Sequence, residues 1–183
     1  MRELVRSWSA IPDLSEAEIE RDGLRIRSCA GLEQWMVSGN DAAACRAAGV
    51  TTPAAGALGV VRGAPYAVRV GRDRILLVGQ PAMPVEAGWS ADGYLASNMS
   101  AGLHVFDMQG DRVEDIVRRA CVIDPRAPGP CAAVTFAGVT AVLYGLEQPG
   151  RLRLHVDRGL AAYVWTWLGT ACGMFLGGGI ARA

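Results

Sequence analysis

The sequence predicts an α+β domain in which helices pack on one face of a largely antiparallel sheet. Short segments that alternate apolar and polar residues recur along the chain and are typical of half-buried strands. Helical periodicity is confined to a few segments, and 23 Gly and 9 Pro supply the turns that antiparallel connections need. Each half also contains a strand, a glycine and a helix start in the same order, so the domain is predicted to be internally duplicated.

The chain is expected to form one domain with short extensions at both ends. Its 183 residues and 19.3 kDa suit a single hydrophobic core. We assign residues 1–23 to an N-terminal arm, 24–171 to the domain and 172–183 to a Gly-rich apolar tail. Within the arm, Ser15 and Glu18 have the spacing of a capping box and predict a short acidic helix.

The first half of the domain is predicted to contain strands, a short helix and a hairpin. Leu24 and Ile26 alternate with polar residues, and Asn40 or Asp41 precedes an alanine-rich helix. Residues 79–99 show little periodicity and are expected to form an irregular crossing. The predicted elements are strands at 24–28, 33–37, 66–70 and 74–78, the last two joined by a tight turn, and a helix ending at residue 48.

The second half begins with a strand at 103–108 that leads into a helix. Asp111 and Glu114 form a second capping box, and the helix is expected to end at Asp124 and Pro125. Its apolar residues recur with helical spacing: Val113, Ile116, Val117 and Ala120. Three strands are predicted next, at 132–136, 140–144 and 151–156.

Asp157 is predicted to cap the last helix of the domain. The buried stripe of this helix is expected to contain Leu160, Tyr163, Val164, Trp167 and Leu168. Trp165 lies on the opposite side from Trp167. With Met174, Phe175 and Leu176, Trp165 is therefore a candidate partner interface, because aromatic residues are enriched in interface hot spots. The alternative is that the domain covers its own C-terminal end.

Residues 159–181 contain no charged residue and are long enough to span a bilayer. Glycines and threonines lower the mean hydropathy of this stretch, and its tryptophans lie near the middle rather than at the ends. We therefore favour a buried helix followed by an apolar tail over a membrane span.

Composition excludes several classes of function. The 18 basic residues balance 18 acidic residues, so no net field favours nucleic acid. All basic residues are arginine, which excludes a Schiff-base or Walker lysine. The five cysteines form no C-x-x-C pair and follow no signal sequence, which favours the cytoplasm and no metal site. No catalytic motif is present, and we predict no catalytic, cofactor-binding or metal-binding residue.

One strand carries a candidate anion-binding face. Arg151, Arg153 and His155 alternate with apolar residues and present two guanidinium groups that suit a carboxylate. The alternative is an ordinary solvated strand face. His104 and Asp107 are three residues apart on another strand, so they are expected to face opposite sides and form no catalytic dyad.

The second half resembles the gamma subunit of heterotetrameric sarcosine oxidase. The resemblance is carried by Asn98-Met99-Ser100, Gly110, and residues 119–124, 129–132 and 160–168. It implies a fold similar to the tetrahydrofolate-binding domain of aminomethyltransferases. It also implies assembly with alpha, beta and delta subunits, in a complex that contains FAD, FMN, NAD and zinc and uses tetrahydrofolate as a possible one-carbon acceptor.

Two functions are therefore expected. The first is a noncatalytic gamma subunit of a complex that oxidatively demethylates sarcosine or a related N-methyl amine, with no cofactor bound by this chain. The alternative is a free-standing folate-binding or folate-dependent methyl-transfer module.

Overall fold

A computed structural model describes residues 13–174 of the chain. Strands predominate in this part, with three α-helices. The strands are β1 (Glu18–Arg21), β2 (Leu24–Cys29), β3 (Glu33–Gly39), β4 (Val60–Val61), β5 (Tyr66–Gly71), β6 (Arg74–Gly79), β7 (Gly88–Ser90), β8 (Tyr94–Asn98), β9 (Leu103–Gly110), β10 (Ala133–Phe136), β11 (Val139–Leu146) and β12 (Arg151–Asp157). The helices are α1 (Asp41–Ala47), α2 (Val113–Ala120) and α3 (Ala161–Met174).

The strands form two sheets. The seven-stranded sheet has the order β1-β2-β9-β12-β11-β10, with β4 paired in parallel to β11. The five-stranded sheet has the order β5-β6-β3-β8-β7. All pairs except β4 with β11 are antiparallel, so the predicted α+β class is confirmed.

The internal duplication is visible in the strand order. The path β5-β6-β3-β8-β7 in one sheet corresponds to β11-β12-β9-β2-β1 in the other. Each half contributes its N-terminal hairpin, β1-β2 or β7-β8, to the sheet that the other half builds. The two halves are therefore interlocked.

Gly39 and Gly110 occupy equivalent places at the ends of β3 and β9. Their φ angles are +106° and +127°. A Cβ at Gly39 would lie 2.6 Å from the carbonyl oxygen of Gly93, and one at Gly110 would lie 1.8 Å from that of Gly23. Glycine is required at both because each strand end passes directly against the turn of the exchanged hairpin.

The two sheets pack face to face, and helices cover the outer face of each. β6 lies between α1 and the other sheet, so both of its faces are buried and its residues from Ile75 to Val78 are all apolar. Ile75 and Leu77 pack toward α1, whereas Leu76 and Val78 pack between the sheets. On the other side, α2 and α3 cover Ile26, Phe106, Leu143 and other residues of the seven-stranded sheet. Each of the two sheets thus has helices on one face only. The sequence predicted this arrangement for one sheet, and the structure shows it in two.

The predicted helix in the N-terminal arm is wrong. Glu18–Arg21 forms β1, which pairs with β2 at the edge of the seven-stranded sheet. Ile19 packs against the core, so edge pairing replaces the capping box suggested by Ser15 and Glu18. At the other end of the domain, Cys172 is 2% exposed within α3, so the domain also extends past residue 171.

The irregular crossing predicted for residues 79–99 is also wrong in part, because it contains β7 and β8. These strands are only 3 and 5 residues long, too short to show a clear period. β8 pairs with β3 and extends the sheet that α1 covers. Most other strands and α1 lie where they were predicted, and Asn40 caps α1 by accepting the backbone N–H of Ala43.

Helix α2 is present with the predicted buried residues, but its ends differ from the prediction. Its N-cap is Arg112, whose side chain donates to Asp115 rather than capping the helix backbone, because β9 extends to Gly110 and leaves Asp111 in the turn. The helix ends at Ala120, where Cys121 takes an extended conformation. Val122 is fully exposed, so the apolar period does not continue to Asp124.

Candidate functional site

A chain of buried polar side chains connects the two sheets. β9, β11 and β12 of the seven-stranded sheet contribute Asp107, Tyr144, Arg153 and His155, and the five-stranded sheet contributes Tyr66 and Gln34. Strand register positions them, since Arg153 lies opposite both Asp107 on β9 and Tyr144 on β11. We call these six residues the inter-sheet polar chain.

The chain begins at a carboxylate held by arginines. Arg153 donates from Nε to Oδ1 of Asp107 at 2.6 Å and from Nη2 to Oδ2 at 3.0 Å. Arg151 Nη2 donates to Oδ2 at 2.8 Å, and Nη2 of Arg27 lies 3.7 Å from the same oxygen. Burial tends to raise the pKa of Asp107, but hydrogen bonds and charge from Arg153 and Arg151 outweigh it and lower the pKa to about 2. Asp107 is therefore ionised at neutral pH.

From Arg153 the hydrogen bonds continue through two tyrosines to a histidine. Nη1 of Arg153 donates to the hydroxyl oxygen of Tyr66 at 2.8 Å, and the hydroxyl oxygens of Tyr66 and Tyr144 are 2.9 Å apart. The Tyr144 oxygen lies 2.7 Å from Nε2 of His155, and Nδ1 of His155 lies 2.6 Å from Oε1 of Gln34.

From Arg153 onward, every donor in the inter-sheet polar chain points toward Gln34. Since Oε1 of Gln34 only accepts, Nδ1 of His155 carries the proton and Nε2 accepts from Tyr144. Tyr144 then accepts from Tyr66, which accepts from Arg153. Burial, followed by the charge of Arg153, lowers the pKa of His155 to about 3, so the ring is neutral as this order requires.

This arrangement satisfies polar groups that the fold buries. Tyr144 and His155 are fully buried, Gln34 is 2% exposed, and no buried side-chain N or O atom within residues 13–174 lacks a hydrogen-bond partner. The inter-sheet polar chain crosses between the sheets three times, at Arg153–Tyr66, Tyr66–Tyr144 and His155–Gln34. Its chemical role in this geometry is to fix the two sheets against each other.

The structure brings together the predicted Arg151, Arg153 and His155. The alternative of a solvated strand face is wrong, because the Arg153 side chain is 12% exposed and His155 is fully buried. The two arginines do bind a carboxylate, and it belongs to Asp107 of the same chain. Binding of an external anion there stays a prediction.

Sequence reasoning missed Asp107, Tyr66, Tyr144 and Gln34 as partners of this face. The available signal was a single acidic residue between the apolar residues of a predicted strand. Its partners come from strands that are distant in sequence, and only the register identifies them. As predicted, His104 and Asp107 do not meet, since His104 packs on the ring of Phe106 on the helix-covered face.

The tryptophans of α3 both contact the core of the domain. Trp165 stacks on Phe106 with ring centroids 5.6 Å apart, and Trp167 packs edge-on against Phe136 at the same distance. Within the predicted stripe, Val164 and Leu168 are buried.

Leu160 and Tyr163 were wrongly placed in the buried stripe, since they are 39% and 50% exposed. Leu160 belongs to a 3-10 turn at Arg158–Leu160 that precedes α3. The buried face of α3 contains Ala161, Val164, Leu168, Ala171 and Cys172, so Tyr163 lies beside this face. A partner contact at Trp165 stays a prediction, because this side chain is only half-buried. The side chain of Met174, and Phe175 and Leu176, lie outside the described residues.

An exposed apolar pair lies on the other sheet. Trp89 on β7 and Leu95 on β8 are directly opposite each other and are 73% and 43% exposed. Leu95 pairs with Ser38, one residue away from Val37, which faces α1. The pair therefore lies on the inward side of the five-stranded sheet, where the other sheet does not cover it.

Between residues 13 and 174, no three His, Cys, Asp or Glu side chains are grouped to hold a metal ion. No helix in the same range is long and apolar enough to cross a membrane.

The comparisons with known proteins identify the fold. No family model and no curated protein sequence matches this chain. Among solved structures, the chain is similar to a chain of the heterotetrameric sarcosine oxidase from Corynebacterium sp. U-96, determined in complex with pyrrole 2-carboxylate. The TM-score is 0.73 at 22% identity, and the match covers 90% of this chain and 91% of that chain. This chain therefore has the fold of a sarcosine oxidase subunit.

Proposed function

We propose that this chain is the noncatalytic gamma subunit of a heterotetrameric complex that oxidatively demethylates sarcosine or a related N-methyl amine. The observation that carries the proposal is the shared fold, which extends over 90% of this chain and 91% of a chain of that oxidase. The match spans nearly the whole length of both chains, which supports an equivalent role for this chain. The residues that resemble the gamma subunit, from Asn98 to Leu168, fall within the described part.

In this proposal the chain is a rigid subunit that binds the larger subunits of the complex. The inter-sheet polar chain fixes the two sheets, and alpha, beta and delta subunits bind FAD, FMN, NAD and zinc. Tetrahydrofolate accepts the one-carbon unit within the complex. All five cysteines of this chain are free in the structure, which supports a reducing compartment such as the cytoplasm.

The exposed pair of Trp89 and Leu95 supports assembly with a larger subunit. In a monomer the apolar area of a tryptophan that is 73% exposed next to a leucine stays in contact with water. A partner that covers both side chains buries this area and forms a central aromatic contact. The exposed Tyr163 supplies a second apolar area near the start of α3. The predicted partner contact of Trp165, Met174, Phe175 and Leu176 belongs to the same C-terminal part of the sequence.

The test is purification of the tagged full-length chain from its native cells. We expect it to copurify with larger flavin-containing subunits, and Trp89→Ser to reduce their recovery. Val122→Ser is the matched control, since Val122 is also an exposed apolar residue but lies on the loop after α2. Recovery of the chain without flavoprotein, together with stoichiometric tetrahydrofolate binding by the isolated chain, would instead support the folate-binding module.

A further inference from the structure

A cavity of about 560 Å³ opens at the end of the domain where the two sheets meet the start of α3. Gln34 of the inter-sheet polar chain also lines this cavity, whereas Asp107 and Arg153 do not. Apolar side chains that include Leu32, Leu103 and Ala162 line it, and polar groups of Ser28, His104 and Arg158 reach it. Its volume is within the range of about 300–1,000 Å³ that is usual for small-molecule sites.

Arg158 is held by two hydrogen bonds, and within residues 13–174 its charge has no carboxylate partner. Nε donates to the carbonyl oxygen of Ala101 at 2.6 Å, and Nη2 donates to that of Ser100 at 3.3 Å. Among residues 13–174, no carboxylate lies within 4.0 Å of this guanidinium, although eight other such pairs form. Both hydrogen bonds are to carbonyls, which orient the group without neutralising it. A carboxylate is the usual ligand of such a guanidinium.

His104 and Ser28 supply neutral polar contacts at the same cavity. Nε2 of His104 lies 3.0 Å from Oγ of Ser28, and the imidazole packs on Phe106 with ring centroids 4.6 Å apart. Burial, followed by the charge of Arg158, lowers the pKa of His104. The neutral ring and the hydroxyl can therefore donate to or accept from a ligand without adding charge.

We propose that this cavity is a binding site for a small organic carboxylate with an apolar body, held by Arg158 and oriented by His104 and Ser28. The carboxylate pairs with the guanidinium at the mouth, and the apolar body lies against Leu32, Leu103 and Ala162. Asp13 also lines the cavity, but its Oδ1 accepts the backbone N–H of Ser15 at 2.9 Å, so it is engaged locally. The proposal concerns this chain alone and is tested on it without other subunits.

The test uses benzoate and its uncharged analogue benzamide as probes, titrated into ¹⁵N-labelled full-length chain. We expect benzoate to cause saturable amide shifts at Ser28, His104 and Ala162, and benzamide to bind about tenfold more weakly or not at all. Arg158→Gln should weaken benzoate binding by about tenfold or more. Arg126→Gln is the control, because Arg126 is exposed on a loop near Asp124.

A second variant keeps the charge of Arg158 and fills part of the cavity. Ala162→Leu should abolish benzoate binding while Arg158 is unchanged, and dispersed amide spectra show whether each variant is folded. Equal affinity for benzoate and benzamide, an unchanged affinity in Arg158→Gln or Ala162→Leu, or saturable shifts centred elsewhere would each overturn the proposal. Absence of a saturable benzoate shift in the wild-type chain would also overturn it.

Discussion

The hydroxyl oxygens of Tyr66 and Tyr144 lie 2.9 Å apart, and each belongs to a different sheet. Tyr144 also reaches Nε2 of His155 at 2.7 Å, so one hydroxyl group serves two neighbours in the core. Removing it leaves a donor and an acceptor buried without partners.

Tyr144→Phe should therefore destabilise the protein by about 2–4 kcal/mol, because unsatisfied buried polar groups cost more than the bond they lose. Urea unfolding measures the change. Tyr163→Phe is the matched control, since the Tyr163 hydroxyl donates to the carbonyl of Ala137 at the surface and its loss should cost less than about 1 kcal/mol. Equal losses would show that the inter-sheet polar chain does not stabilise the fold.

Asp107→Asn should destabilise the protein by about 3–5 kcal/mol, since it leaves Arg153 and Arg151 partly buried without their carboxylate. The comparison variant is Asp124→Asn, whose exposed carboxylate lies 3.7 Å from Arg126 and should contribute little. The free energies of unfolding of both variants and of the wild-type protein at pH 7 measure the two losses.

Stability should also depend on pH through Asp107. Its folded-state pKa of about 2 is below the ordinary value of 3.8, so the contribution is complete above pH about 4 and is lost as the pH falls toward 2. Wild-type protein should lose about 2 kcal/mol more than Asp107→Asn across that range. Parallel curves for the two proteins would contradict the ionised carboxylate.

His155 should act in a higher pH window. Its folded-state pKa of about 3 is below the ordinary value of 6.5, so protonation of the unfolded chain removes stability as the pH falls from 6.5 toward 3. In the His155→Gln variant the free energy of unfolding should depend less on pH between 6.5 and 4, whatever the effect of the substitution on absolute stability. His104→Gln should reduce this dependence less, because His104 is only half-buried.

The close approach of Gly110 to Gly23 gives a backbone prediction. Gly110→Ala should destabilise the protein by more than about 3 kcal/mol, because its Cβ would lie 1.8 Å from the Gly23 oxygen. Gly49→Ala is the control for backbone strain alone, since φ is +74° there and nothing lies within 4 Å. It should cost about 1 kcal/mol, and a similar loss at Gly110 would contradict the interlocked hairpins.

Local patterns predicted those parts of the fold that local interactions determine. The alternation of Leu24 and Ile26 with arginines, and the spacing of Ile116 and Val117, identified β2 and α2 because each face sees a different solvent environment. β7 and β8 were missed since they are short and depend on pairing with β3. The Ser15 capping box failed because pairing with β2 outweighs a weak helical preference.

The candidate site was only half predictable. Arg151, Arg153 and His155 share a face by alternation alone, so their proximity follows from the sequence. Their burial does not, because it requires a second sheet to pack over that face. The pairing with Asp107 follows from strand register, which single-sequence patterns do not give.

The claim that this chain is a subunit of an amine-oxidising complex is tested most directly by turnover. Material captured through the tagged full-length chain should form hydrogen peroxide when sarcosine or another N-methyl amine is added, in proportion to the bound flavin, whereas the isolated chain should form none. Truncation after Met174 should reduce the captured activity while leaving α3 complete. Captured material that contains no flavin and oxidises no N-methyl amine would contradict the claim.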